Sequence, residues 1–261
     1  MAKSAIVIDN LANAGSVGAS SEEFDMPSFN LLTPHVSERW RSLSGTAWFV
    51  LDLRSLKSID TIMLRGMTLG ASSTARVRLS STDSTGAAGD ISDSGSLTSE
   101  VSTYFDLDYG ALVYLLPFPT NCRYVRIDLT DPDAAYVEAG ALLAGLREEF
   151  IYNPAPGAGI TTIDRSRRAS SSGGQTLIWN DNQYRQITLS FDLIDVAQRY
   201  GVFERMSRVN GMHKNVLLIT DTDSANVARD SFFGLVSSQN QIAYLAAPDL
   251  YSQQLTINER L

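Results

Sequence analysis

The side chains that could do chemistry in this chain are few, and they do not converge. Its two histidines, His35 and His213, have no Cys, second His or carboxylate at metal-ligand spacing, so each reads as a hydrogen-bonding surface or core residue. Asp221-x-Asp223 followed by Asn226 opens like a calcium loop. It lacks the sharp-turn glycine, and Phe232 stands where the twelfth position needs a bidentate Glu. The single cysteine, Cys122, excludes an intrachain disulfide and a multi-thiolate metal cluster, and beside Tyr124 it reads as a small core residue. Gly-x-Ser-x-Gly, a P-loop and a dinucleotide fingerprint are all missing. Paired carboxylates for glycoside hydrolysis can come from anywhere in a chain, and no local pattern singles out a pair. The expectation is therefore no enzyme: no catalytic residue, no cofactor and no metal site.

Binding chemistry is better represented. A saccharide needs an aromatic platform with polar groups near it, and Tyr104, Tyr109 and Tyr136 are candidate glycan contacts. Arg165, Arg167 and Arg168 lie just before the flexible Ser170-Ser171-Ser172-Gly173-Gly174. They could pair with phosphate or with carboxylates of a neighbouring subunit, and stand as candidate subunit contacts. Asp83, Asp90, Asp93 and Glu100 lie in a Ser/Thr/Gly-rich tract, 82–102, without a basic residue. That tract could gather a cation but reads first as a mobile loop of solvated carboxylates.

The elements that would position these groups are mostly strands. Trp48-Phe49-Val50-Leu51-Asp52-Leu53, with Trp40 ahead of it, is short, aromatic and branched, bounded by Ser44-Gly45 and Ser55. Val77 and Leu79 alternate with Arg76 and Arg78, as Val125, Ile127 and Leu129 do with Arg126 and Asp128. That is the period of a sheet with one dry face. The first half thus reads as an antiparallel β-sandwich over 24–150, preceded by a strand and small-residue tract, 1–23. The tract could wrap its own domain or reach a neighbour as an arm. Residues 151–159, with Pro154, Pro156, Gly157 and Gly159, read as a linker.

Residues 160–261 read as a small α+β body. Ile187, Leu189, Phe191 and Leu193 alternate with polar residues, and further strands are expected at 176–179, 216–220, 231–236, 242–245 and 250–257. Asp195 can cap one main helix carrying Val196, Tyr200, Phe203 and Met206, with Gly211 as its stop. One helix on an antiparallel sheet is the simplest assembly.

Charge is split unevenly along the chain. Residues 1–150 hold 11 Lys/Arg against 19 Asp/Glu, and 151–261 hold 10 of each. An acidic first half argues against nucleic acid as a partner, and a neutral second half can pack against copies of itself. The run Ala5-Ile6-Val7-Ile8 falls short of the roughly 7–15 apolar residues of a secretory segment, so synthesis and folding in a cytoplasm are expected. Nothing approaches the ~20 apolar residues of a membrane helix, so membrane insertion is not expected.

Taken in order, Trp40 to Ser42, Trp48 to Leu53, Ile59 to Leu64, Arg76 to Ser80, Tyr124 to Leu129 and Glu138-Ala139-Gly140 resemble the galactose-binding-like jelly roll of discoidin and coagulation-factor C-type domains, without the bridging cysteines of secreted members. Other stretches resemble tail proteins of long-tailed bacteriophages and related gene transfer agents. These are Ile8 to Ala12, Asn30 to Pro34, Gly173-Gly174-Gln175, Tyr184-Arg185, Phe203 to Met206, Phe233-Gly234-Leu235 and Leu255 to Glu259. The second resemblance implies a structural component of a phage tail tip or baseplate, made in the host bacterial cytoplasm and resident in the virion tail. It would assemble as or onto a ring with copies of itself and other tail proteins, with a jelly roll that could contact host-surface glycans. The alternatives are a free-standing carbohydrate-binding module and, last, an accessory domain of a glycan-degrading enzyme.

Overall fold

Alternation along the strands separates dry faces from wet ones, and the rest of the fold follows from which strands share a dry face. The structure is a computed structural model and describes residues 3–97, 110–239, 241–245 and 249–261. In chain order the strands are β1 (Ala5–Val7), β2 (Ser16–Ala19), β3 (Trp40–Arg41), β4 (Thr46–Met67), β5 (Thr74–Ser80), β6 (Ser92–Asp93), β7 (Gly110–Thr130), β8 (Glu138–Ala139), β9 (Leu142–Gly145) and β10 (Arg147–Glu149). There follow β11 (Gly159–Asp164), β12 (Arg167–Ser170), β13 (Thr176–Trp179), β14 (Gln183–Ile194), β15 (Asn215–Ile219), β16 (Ser231–Gln239), β17 (Ala243–Tyr244) and β18 (Tyr251–Glu259). The protein is mainly β, its sheets are antiparallel, and it has one main helical segment.

The chain divides into two units. The first comprises residues 1–149 and 216–231 with Leu261; the second comprises 150–215 and 232–260. Residues 216–231 fall in the stretch expected from sequence to belong to the C-terminal body. They are tied into the first unit because β1 pairs with β15 on one side and β10 on the other. The Ser4 hydroxyl donates to the Thr220 carbonyl at 2.6 Å, and Arg65 donates to that of Ser231 at 2.7 Å.

The sandwich of the first unit is built on two long strands. The first part of β4 pairs with the end of β7, Phe49 opposite Ile127, and its last part with the beginning of β7, Leu64 opposite Leu112. Register shifts after Asp52, Ile59 and Arg65 bend the pair, so that one ribbon contributes to both layers. β2 and β5 extend the first layer in the order β2-β4-β7-β5-β6, and β9 pairs with β4 in the second. Phe49, Leu51, Ile62, Leu64, Val77, Leu112, Val125, Ile127 and Leu142 fill the space between, with Trp40 edge-on to Phe49 at 5.4 Å. Cys122 is buried there, and burial pushes its thiol up to about 12, leaving it inert.

Of the two readings of the small-residue tract the structure shows packing on its own unit, and the acidic tract differs from the sequence expectation. The 11–21 tract is not a projecting arm: Asn10 caps a short 3-10 turn at Leu11–Ala14, and β2 then pairs with β4 as an edge strand. At the entry to this edge Gly15 is required, because a Cβ there would lie 2.8 Å from the Asp52 carbonyl oxygen. In the 82–97 part of the acidic tract the carboxylates are local acceptors rather than loose charges. Asp83 takes the Ala88 and Thr85 N–H groups, Asp90 takes the Ser80 and Ser81 hydroxyls, and Asp93 is paired with Arg76.

In the second unit the sheet runs β16-β18-β14-β11, with β17 pairing β18. Phe150, Phe191 and Phe203 form its aromatic core, with ring centroids 4.6 to 5.8 Å apart. Asp195 caps the helical segment by accepting from Gln198 N–H at 2.8 Å, and Gly211, at φ +53°, ends it. The expected face is only partly realised. A π turn at Arg199–Glu204 widens the helix, so Val202, Phe203 and Met206 are buried while Tyr200 faces out.

Candidate binding surface on the sandwich

The residues that alternate away from the core on the first layer form a continuous chemical surface. Trp48, Val50 and Asp52 point outward from β4 because Ala47, Phe49 and Leu51 point in. By register Trp48 stands opposite Asp128, Val50 opposite Arg126 and Asp52 opposite Tyr124. On the far side of β7, Arg76 faces Asp128, Arg78 faces Arg126 and Ser80 faces Tyr124. On the near side, Ser16 faces Asp52 and Gly18 faces Val50.

Pairing across this face holds each side chain in place. Arg123 grips Asp52 through two hydrogen bonds of 2.9 and 3.0 Å, and this holds the Asp52 carboxyl below the usual carboxylate range. Asp128 is shared between Arg78 at 2.7 Å and Arg126 at 2.9 Å. The Arg126 guanidinium lies 4.1 Å from the Trp48 ring centre, and that of Arg123 lies 4.9 Å from the Tyr124 ring. Arg126 and Arg78 also donate to the Thr85 and Ala87 carbonyls, drawing the Ser84–Ala88 loop down onto the sheet. Gly86, at φ +63°, makes that approach possible, because a Cβ there would sit 2.7 Å from that of Arg126.

Loop and sheet together frame a shallow open depression of about 450 Å³, lined by Ser16, Val17, Gly18, Ala19, Trp48, Val50, Asp52, Ser84, Thr85 and Tyr124. Its floor is a part-exposed indole and small aliphatic groups, and its rim is hydroxyls and one ion pair. An arrangement of this kind can stack on the C–H face of a ring and exchange hydrogen bonds with ring hydroxyls. No group of three or more His, Cys, Asp or Glu able to hold a metal occurs among the described residues.

Sequence reasoning named other residues. Tyr104 and Tyr109 lie outside the described residues. Tyr136 is 41% exposed and stacks on Arg41 at 4.3 Å, and Arg41 is in turn held by Glu138. Tyr136 is not among the residues of the depression. Trp48, Asp52, Arg123 and Arg126 were missed as a set: the outward positions of Trp48, Asp52 and Arg126 were readable from the same alternation that located the core, whereas Arg123 shares the parity of the inward Val125 and Ile127.

In the second unit, Arg167 and Arg168 lie on the hairpin β12–β13, opposite Trp179 and Ile178. They line a groove of about 540 Å³ with Ala169, Trp179, Asn180 and Asp181. Arg165 lies in the turn before β12 and is exposed. The two histidines are exposed, and Asp221 accepts from the Asp223 N–H in a local turn.

Neither a family model nor a curated protein matches the sequence. Solved structures do. The chain is similar to a lectin binding domain of lectinolysin complexed with Lewis b, at 11% identity and TM-score 0.40, over 53% of this chain and 96% of that one. It is similar to a Ruminococcus gnavus GH29 fucosidase in complex with fucose at 14% identity and TM-score 0.43, over 54% of this chain and 27% of that one. A third is CpGH89CBM32-5 from Clostridium perfringens, in complex with GalNAc-β-1,3-galactose, at 13% identity and TM-score 0.40, over 52% of this chain and 99% of that one.

Proposed function

We propose that this protein is a non-enzymatic carbohydrate-binding protein that holds a saccharide on the outer face of its sandwich. The observation that carries the reading is the Trp48 indole braced by Arg126 beside the Asp52–Arg123 pair, in an open depression rimmed by Ser16, Ser84 and Thr85. A braced aromatic ring is prepared for stacking without losing rotamer freedom on binding. Screening the full chain on a glycan array tests the reading: saturable binding to at least one saccharide is expected, and Trp48→Ala should abolish it. A blank array for the wild type, or identical profiles for both chains, would remove the proposal.

A second reading concerns the second unit and is compatible with the first. It is supported by the hairpin β12–β13, in which every residue is exposed, Ile178 at 57% and Trp179 at 55% among them. A two-stranded ribbon is marginal in water by itself, and one that displays Leu177, Ile178 and Trp179 gains stability from a covering partner. This supports a covering partner such as a second copy of the chain; that the assembly is a phage tail tip or baseplate, with other tail proteins as partners, rests on the sequence resemblance alone. Co-purification with virion tails tests it, and a protein absent from purified tails would count against it.

A further inference from the structure

Phe24 is 95% exposed, in contrast to Trp40 and Phe49, which the same unit buries completely. Its backbone gives the ring a fixed place. Glu23 and Met26 form a bridge, the Met26 N–H donates to the Glu23 carbonyl at 3.0 Å, and the turn is tied to β3 by Glu23 N–H to Arg41 O and Arg41 N–H to Met26 O. Glu22 anchors the base by accepting from the Ser28 N–H and hydroxyl at 2.8 and 2.7 Å. The result is a rigid acidic knob, an aromatic ring flanked by the exposed Glu23 and Asp25.

The hairpin groove of the second unit has the opposite character. Arg167 stands cross-strand from the exposed Trp179, Arg168 follows one position on, towards the other face of the ribbon, and one carboxylate, Asp181, lies at the end of the groove. A Phe ring of ordinary size fits a groove of about 540 Å³, could stack on the indole, and would bring Asp25, with Glu23 from its 3.7 Å pair with Arg41, to the arginine-bearing edge of the hairpin beside Arg167. We infer that the Glu23–Met26 turn of one copy docks Phe24 into the Arg167/Arg168/Trp179 groove of a second copy. The inference rests on the assembly reading of the second unit and gives it an occupant and a direction. Because knob and groove are different surfaces of one chain, the contact closes reciprocally into a two-fold dimer, closes into a larger ring, or continues as a filament.

Sedimentation velocity on the full chain over a concentration series tests this. The wild type is expected to associate, to a dimer or beyond. Phe24→Ala and Trp179→Ala should each weaken association by about tenfold or more while melting like the wild type, since both side chains are exposed. An equimolar mixture of the two variants should form a dimer that grows no further, one chain supplying the intact groove and the other the intact knob. Glu23→Arg with Asp25→Arg in one chain should likewise recover association only with Arg167→Glu and Arg168→Glu in the other. If the wild type associates and both variants do so equally, the docking is wrong and the assembly reading survives. If the variants lose association and their mixture does not recover a dimer, the heterologous contact is wrong. A wild type that stays monomeric throughout the series overturns both.

Discussion

At the level of single residues, the binding face depends on side chains that hold one another. Trp48 is positioned by Arg126, and Asp52 by Arg123, so truncating either guanidinium should loosen the side chain it holds without opening the core. Replacing Trp48 by Ala is expected to weaken saccharide binding by at least about 2 kcal/mol, roughly thirtyfold or more and enough to remove it from an array, with melting changed little, as checked by titration calorimetry and thermal unfolding of the same preparations. Acid should act on the same unit. Asp83 is held down to about 2 by the Ala88 N–H and then the Thr85 hydroxyl, and Asp93 to about 2 by Arg76 and then the Gly95 N–H. Arg123 lowers Asp52, and the Ser80 and Ser81 hydroxyls lower Asp90. For a carboxylate depressed by folding, the stabilisation is fully present above its unfolded value, about 3.9, and is lost as pH falls through the folded one. The melting temperature of the first unit should therefore drop between roughly pH 4 and pH 2 and stay flat with respect to these groups above pH 5. A flat profile down to pH 2 would show that they contribute nothing.

At the level of elements, the site exists because β4 and β7 are long, bent and paired twice. Gly86→Ala places a Cβ where the loop meets Arg126, at a positive φ, and should cost about 1–2 kcal/mol and release the Ser84–Ala88 loop, visible as faster amide exchange there. Cutting the chain at Pro154 separates β1 from its β15 partners Leu217–Ile219, so both fragments should be less stable than the intact chain; two fragments that melt as it does would contradict the pairing. Much at this scale was legible. Arg76–Leu79 and Tyr124–Leu129 displayed their dry faces, and Ile187, Leu189 and Phe191 did the same; Leu193 did not, since a register shift after Phe191 turns Ile194 inward and leaves Leu193 43% exposed, while Asp195 and Gly211 bounded a helix. The single strand from Thr46 to Met67 was not, since the exposed stretch Arg54–Lys57 at its bend reads as a turn between two strands. The site was hidden for a related reason. Alternation says which side chains face water, but only register says that Trp48, Asp52, Arg126 and Asp128 are neighbours, and register is fixed by partners distant in sequence. Joining of Val216–Ser231 to the first unit was equally unreadable, because it depends on the short β1 choosing between distant strands.

At the level of the whole molecule, charge and exposure divide the work. The acidic first half presents an arginine-braced aromatic face, and the neutral second half presents an uncovered basic hairpin. Replacing the hairpin segment 165–181 by a short turn should abolish self-association while leaving saccharide binding intact, measured by sedimentation and titration on one protein. Coupled loss of both activities would mean that the two functions are not separate. The central claim is that the sandwich face binds a saccharide and leaves it chemically unchanged. It is tested most directly by titrating the full chain with an array-selected saccharide and then weighing the recovered saccharide by mass spectrometry. The account predicts saturable binding, lost in Trp48→Ala, and a saccharide of unaltered mass; binding indifferent to Trp48, or a cleaved or modified saccharide, would contradict it.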